Sequence, residues 1–91
     1  MPYIIEETRQ DYYEDGLDNV ANLLIQADDD DLPGELNFVI THLVKRIMQI
    51  KGERYRRYNA IIGALECCKL ELYRRMVGPY EDKAIERNGD V

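Results

Sequence analysis

Residues 36–50 read LNFVITHLVKRIMQI, and residues 58–77 read YNAIIGALECCKLELYRRMV. In the first stretch Leu36, Ile40, Leu43, Ile47 and Ile50 recur at alternating intervals of four and three. In the second, Tyr58, Ile61, Leu65, Cys68 and Leu72 do the same, and Met76 extends the row. An α-helix turns by about 100° per residue, so this spacing lays the apolar side chains along one narrow face. A strand would alternate with a period of two, and no segment does so for long. The predicted fold is all-α. It is an antiparallel long helix pair with a short acidic N-terminal helix and an ordered C-terminal tail, packed as a homo-oligomer.

Working outward, Leu32-Pro33 opens the first long helix, because proline in a first turn gives up no needed donor. Phe38, Val39 and Val44 thicken its seam, and Gly52 is its expected C-cap, giving a helix over about 33–51. The next helix is predicted over 54–77, roughly 36 Å long. It carries a second stripe, Ile62, Leu70, Tyr73 and Val77, beside the first. A single antiparallel partner of about 27 Å cannot cover both stripes, so the excess is expected to lie between subunits. Gly78-Pro79 is expected to end this helix and turn the tail back. In the tail, Tyr80 and Ile85 are anchors, 81–87 can form a helical turn or two, and Asn88-Gly89 signals a turn.

Ahead of the pair, Leu17, Val20, Leu23, Leu24 and Ala27 predict a helix over 17–27, with Asp15 as its cap and Asp28 to Asp31 as its stop. Residues 6–15 fit a short helix or a turn. Residues 1–5, MPYII, form an apolar lead whose Ile4 and Ile5 are expected to dock on the core or on a neighbour. The expected organisation is one helical domain over 1–91. It comprises an acidic arm and short helix (1–32), a helical hairpin (33–78) and a tail (79–91).

Ninety-one residues suffice for one domain and bury only about 60–65% of the unfolded surface, which is marginal for a chain standing alone. With 45% hydrophobic and 33% charged residues, the composition is that of a folded chain rather than a disordered one. No apolar run reaches the roughly 20 residues that span a bilayer, and no secretory signal is read. Adjacent Cys67 and Cys68 do not make a disulfide framework. A cytoplasmic protein with no membrane association is expected. The net charge of −6 is split. Residues 1–35 hold eleven acids and one base, whereas residues 36–91 hold eleven bases and seven acids. The acidic part repels a phosphate backbone, which argues against general DNA binding, while the basic part still admits a small anion.

Several chemistries are absent from the pattern. There is no phosphate-binding glycine loop, no dinucleotide fingerprint and no zinc spacing, and His42 is the single histidine. Cys67 and Cys68 point about 100° apart on a helix and read as one core and one semi-exposed thiol. The Asp28–Asp31 run lacks the alternating ligands, central glycine and terminal glutamate of a calcium loop. A magnesium-dependent nucleotide pyrophosphatase would need carboxylates on facing helices. Here Glu66 and Glu71 stand alone inside the longest helix and do not share a face. No catalytic residue, metal or cofactor is expected, and the chain is not read as an enzyme.

The remaining constellation is basic and aromatic. Guanidinium forks grip phosphate oxygens and tyrosine rings stack on bases. On that chemistry Arg54, Arg57, Tyr58, Lys69, Arg74, Arg75, Tyr80 and Lys83 are the candidate ligand-binding residues. The competing reading is a set of solvated helix ends neutralised by the acidic arm.

The string GALECCKLELYRRMVGPYEDKAIERNGDV, residues 63–91, has the form GxLExxKLExYRRxxxPYEDKxIExNGDV. With MPYI at 1–4 and Gly34-Glu35-Leu36-Asn37, it resembles an uncharacterised family of short phage and bacterial proteins. The likeness covers most of 34–91 and the first few residues. Cys67-Cys68 and Gly78 occupy positions where small apolar residues would serve. The resemblance implies a phage or prophage origin and a host cytoplasm, and it transfers no functional residue. Three functions remain in play. The first is a small oligomer that sequesters a nucleotide-type immune signal. The second is an acidic inhibitor that binds a host defence protein. The third is a structural or assembly accessory.

Overall fold

In the computed structural model, residues 3–91 are described, and every regular element among them is helical. The chain divides into two units, Met1–Gly52 and Glu53–Val91.

The first unit holds α1 (Glu6–Glu14), α2 (Leu17–Ile25) and α3 (Leu32–Lys51). The polar stretch after the apolar lead is therefore a helix, with Glu6 and Glu7 in its first turn, where carboxylates meet the positive end of the macrodipole. Asp15 does not cap α2. It closes α1, and Gly16 takes the N-cap position at φ 109°, a left-handed backbone that glycine adopts without steric cost. The Asp28–Asp31 run is the turn between α2 and α3, closed by amides of Asp31 and Leu32 donating to the Asp28 carbonyl at 2.9 Å. Gly52 ends α3 as expected, at φ 94°, its amide donating to the Met48 carbonyl.

Helix α2 touches both α1 and α3. The side chains that lose exposure are Ala21, Leu24 and Ala27 around α2, and Val39, Ile40, Val44 and Met48 on α3. Met48 alone among the described residues is buried, at 5% exposure. The packed stripe of α3 thus runs Ile40–Val44–Met48, one turn per step. It lies beside the expected seam, of which Leu36, Leu43, Ile47 and Ile50 stay exposed. Phe38, expected to thicken that seam, lies on another side of α3 and is exposed.

The second unit holds α4 (Tyr55–Leu72), a π-turn (Tyr73–Val77) and α5 (Gly78–Asn88). Gly78-Pro79 does not terminate the helix. The backbone stays right-handed helical at Leu72, Tyr73, Val77 and Gly78, so the chain runs on from Tyr55 to Asn88, roughly 50 Å at helical rise. The physical reason is local. A proline inside an α-helix has no amide to donate, and its ring crowds the carbonyl four residues back. The wider turn accommodates it, with the Gly78 amide reaching five residues back to the Tyr73 carbonyl. A Cβ at Gly78 would sit 3.1 Å from that same oxygen, so glycine is the residue that fits. The expected fold-back of the tail is replaced by α5, which stops at Gly89 (φ 86°). No described residue of this second unit is buried.

Candidate functional site

The eight candidate residues all lie in the second unit, in three groups along one helical rod. Arg54 is the extended residue immediately before α4 (φ −149°, ψ 138°), and Arg57 and Tyr58 follow in its first turn. The Tyr58 hydroxyl donates to Glu53 Oε1 at 3.0 Å. That hydrogen bond to the carboxylate, with smaller contributions from desolvation and from the Glu53 charge, raises the phenol above its ordinary 10.0. The sign follows directly. A phenol held protonated in the folded chain contributes stability below pH 10, and this is lost as pH rises through the raised value. Wild-type protein is therefore expected to lose more stability above pH 10 than Tyr58→Phe does. Thermal melts across that range check this, and parallel curves for the two proteins would contradict it.

Lys69 lies mid-helix, paired to Glu66 at 3.0 Å, with both side chains more than half exposed. Arg74 and Arg75 share one carboxylate. Arg74 Nη2 donates to both oxygens of Glu71 and Arg75 Nε to Oε2, each at 2.9 Å. The spacings are i,i+3 and i,i+4, the separations that bring helix side chains together. Glu71 thus fixes both guanidinium groups and cancels one of their charges. Those spacings mark Glu71 as the partner of both arginines in the sequence itself.

Tyr80 and Lys83 come together on α5, where Glu86 and Arg87 join them around an open concavity of about 520 Å³. Tyr80, Lys83 and Arg87 follow an i, i+3, i+7 pattern, one face of a helix. Arg87 was not among the expected site residues, although its distance from Tyr80 gave the signal. Neither Lys83 nor Arg87 is engaged in an ion pair among the described residues. The first group lies about 26 Å up the rod from Arg74, so one chain does not bring all eight residues to one small ligand.

A second concavity, about 300 Å³, lies on α3 among Gly34, Asn37, Phe38, Thr41, His42 and Lys45. Phe38 and His42 stack there with ring centroids 6.1 Å apart and planes at 20°. Cys67 is half-buried and Cys68 exposed, both as free thiols, so in the isolated chain the seam position is the more open of the two. No group of three metal-ligating side chains is found among the described residues.

These features define an all-helical chain whose polar chemistry is cationic and aromatic and is carried on helix faces. The chain belongs to the family described as a domain of unknown function, DUF6899, whose model matches residues 1–91. No match is found among curated proteins or among solved structures. Among the described residues, no helix is long and apolar enough to cross a membrane.

Proposed function

We propose that this chain is a small homo-oligomeric binding protein that holds a nucleotide-type anion and performs no catalysis. The observation that carries the reading is the α5 face. Tyr80 offers a flat ring, and Lys83 and Arg87, with no ion pair among the described residues, offer charges around one open concavity that Glu86 also lines. Charged hydrogen bonds to phosphate are stronger than neutral ones, and a stacked base adds to them. Arg74 and Arg75, held by Glu71 a short way up the rod, supply further donors to the ligand in this reading. Arg54, Arg57 and Tyr58 complete the site from an antiparallel neighbouring copy, giving one site per pair of chains.

Oligomer formation belongs to this reading because the second unit buries none of its described residues, and an isolated helix is marginal in water. Two or more copies together bury the apolar stripes that each unit leaves exposed. The biological setting consistent with these residues is a phage or prophage protein in a host cytoplasm that sequesters an immune signalling nucleotide.

Calorimetry with linear and cyclic nucleotides tests the proposal. A ligand is expected to bind, and Lys83→Ala or Arg87→Ala to weaken it roughly tenfold or more, since a charged hydrogen bond contributes about 1.5–3 kcal/mol. Failure of every nucleotide to bind wild-type protein more tightly than about 100 μM overturns it. One observation then favours the acidic inhibitor. Arg9, the one base of residues 1–35, donates to the Ile4 carbonyl at 2.6 Å instead of to a carboxylate, so it leaves the acids of α1 unneutralised for a cationic protein surface.

A further inference from the structure

We infer that α3 is the helix through which two copies of this chain meet, antiparallel about a two-fold axis at Leu43. This rests on the oligomeric reading above and specifies its interface. Within the first unit, α3 turns its Ile40–Val44–Met48 stripe to the packed side. The neighbouring row keeps Leu36, Leu43, Ile47 and Ile50 open at 44%, 56%, 40% and 73% exposure. An apolar row of this regularity is a coiled-coil seam, whose free energy comes from burial against a second helix.

The row is self-complementary about its centre, with half-buried Val39 at its edge: Leu36 and Ile50 each lie seven residues from Leu43, and Val39 and Ile47 each lie four from it. A two-fold axis at Leu43 sets Leu36 against Ile50 of the other copy, Val39 against Ile47, and Leu43 against itself. That is the reciprocal arrangement an isologous interface requires.

Charge fixes the direction. The N-terminal approach to α3 is acidic, with Asp28 to Asp31 and Glu35, whereas its C-terminal half carries Lys45, Arg46 and Lys51. Parallel copies would set acid beside acid and Arg46 beside Arg46. Antiparallel copies bring the acidic end of one helix to the basic end of the other and oppose their macrodipoles.

Cross-linking tests the placement in full-length chains with Cys67→Ser and Cys68→Ser. Under mild oxidation Leu43→Cys is expected to form a covalent dimer, since the two Cβ atoms straddle the axis within disulfide reach. Phe38→Cys, on another side of the same helix, is expected to stay largely uncross-linked. An equimolar mixture of Leu36→Cys and Ile50→Cys is expected to give mixed dimers, with little cross-linking of either alone. That pair also keeps the test informative if Leu43→Cys does not fold. Cross-linking of Leu36→Cys with itself as readily as with Ile50→Cys overturns the antiparallel direction. Light scattering separates the two levels. An oligomer without these cross-links overturns the α3 interface and leaves the oligomeric reading standing, whereas a monomer overturns both.

Discussion

Leu70→Glu is expected to dissociate the protein or unfold it. Leu70 stands with Ile62 and Tyr73 on the outer stripe of the long rod, each more than half exposed in the single chain. Burying a leucine contributes about 1.5–3 kcal/mol. Placing an unpaired carboxylate in the same position removes that contribution and adds a desolvation cost. For a chain of this size each kcal/mol moves the melting temperature by about 4–8 °C. A fall of at least about 10 °C is expected, or a drop in mass by light scattering, or both. A variant that keeps the wild-type mass and melting temperature would show that this stripe faces solvent in the assembled protein.

The second large effect is expected at Met48. It is the one buried side chain among the described residues, held where α3 carries its packed stripe. Truncation of a buried methionine to alanine costs about 2–5 kcal/mol, a large share of the roughly 5–15 kcal/mol that holds a small domain together. Met48→Ala should therefore lower stability sharply, while Met48→Leu, which conserves volume, should cost less than about 1.5 kcal/mol. Hydrogen exchange locates the damage. Protection should fall first in α2 and α3, the elements that meet around this residue, and persist longer in α4. Uniform loss along the whole chain would show that the two units unfold as one.

The helices were legible because their apolar residues recur with the period of a helix and their ends carry recognisable chemistry. Gly52 and Pro33 mark boundaries that depend on a few adjacent atoms, and both stand where local reasoning puts them. Gly78-Pro79 misled because the same local rule has two solutions. A proline can end a helix, or the turn before it can widen, and the choice rests on whether the preceding residue tolerates close approach to a carbonyl. Asp15 misled for a related reason. Gly16 offers a left-handed bend there, and that bend, rather than a side-chain cap, sets the start of α2.

On α3 two adjacent apolar rows compete for the packed side within the first unit. Leu36, Ile40, Leu43, Ile47 and Ile50 satisfy a heptad pattern, and Val44 and Met48 sit one flank away. Periodicity shows that a face is apolar. Which of two adjacent apolar rows meets a particular neighbour depends on where α2 lands, and that is a tertiary fact. Within the candidate site, Tyr80 and Lys83 do share a face. The link from them to Arg74 and Arg75 by a reversing tail is replaced by proximity along a continuing helix. Glu71 and Arg87 are visible in the sequence as an i,i+4 partner of Arg75 and an i,i+7 partner of Tyr80.

The widened turn at Tyr73–Val77 also sets the angular phase of everything after it. Leu72, Met76 and Tyr80 follow one another at intervals of four, which on an unbroken α-helix would drift by about 40° at each step. A turn that closes over five residues absorbs part of this drift and holds Tyr80 nearer the line of the preceding seam. It works as a vernier. Closing the same residues as an ordinary α-helix would leave the composition of α5 unchanged but rotate Tyr80, Lys83 and Arg87 together around the axis. The compass bearing of that cationic face is thus written in the width of the turn before Pro79, independently of which residues form the face.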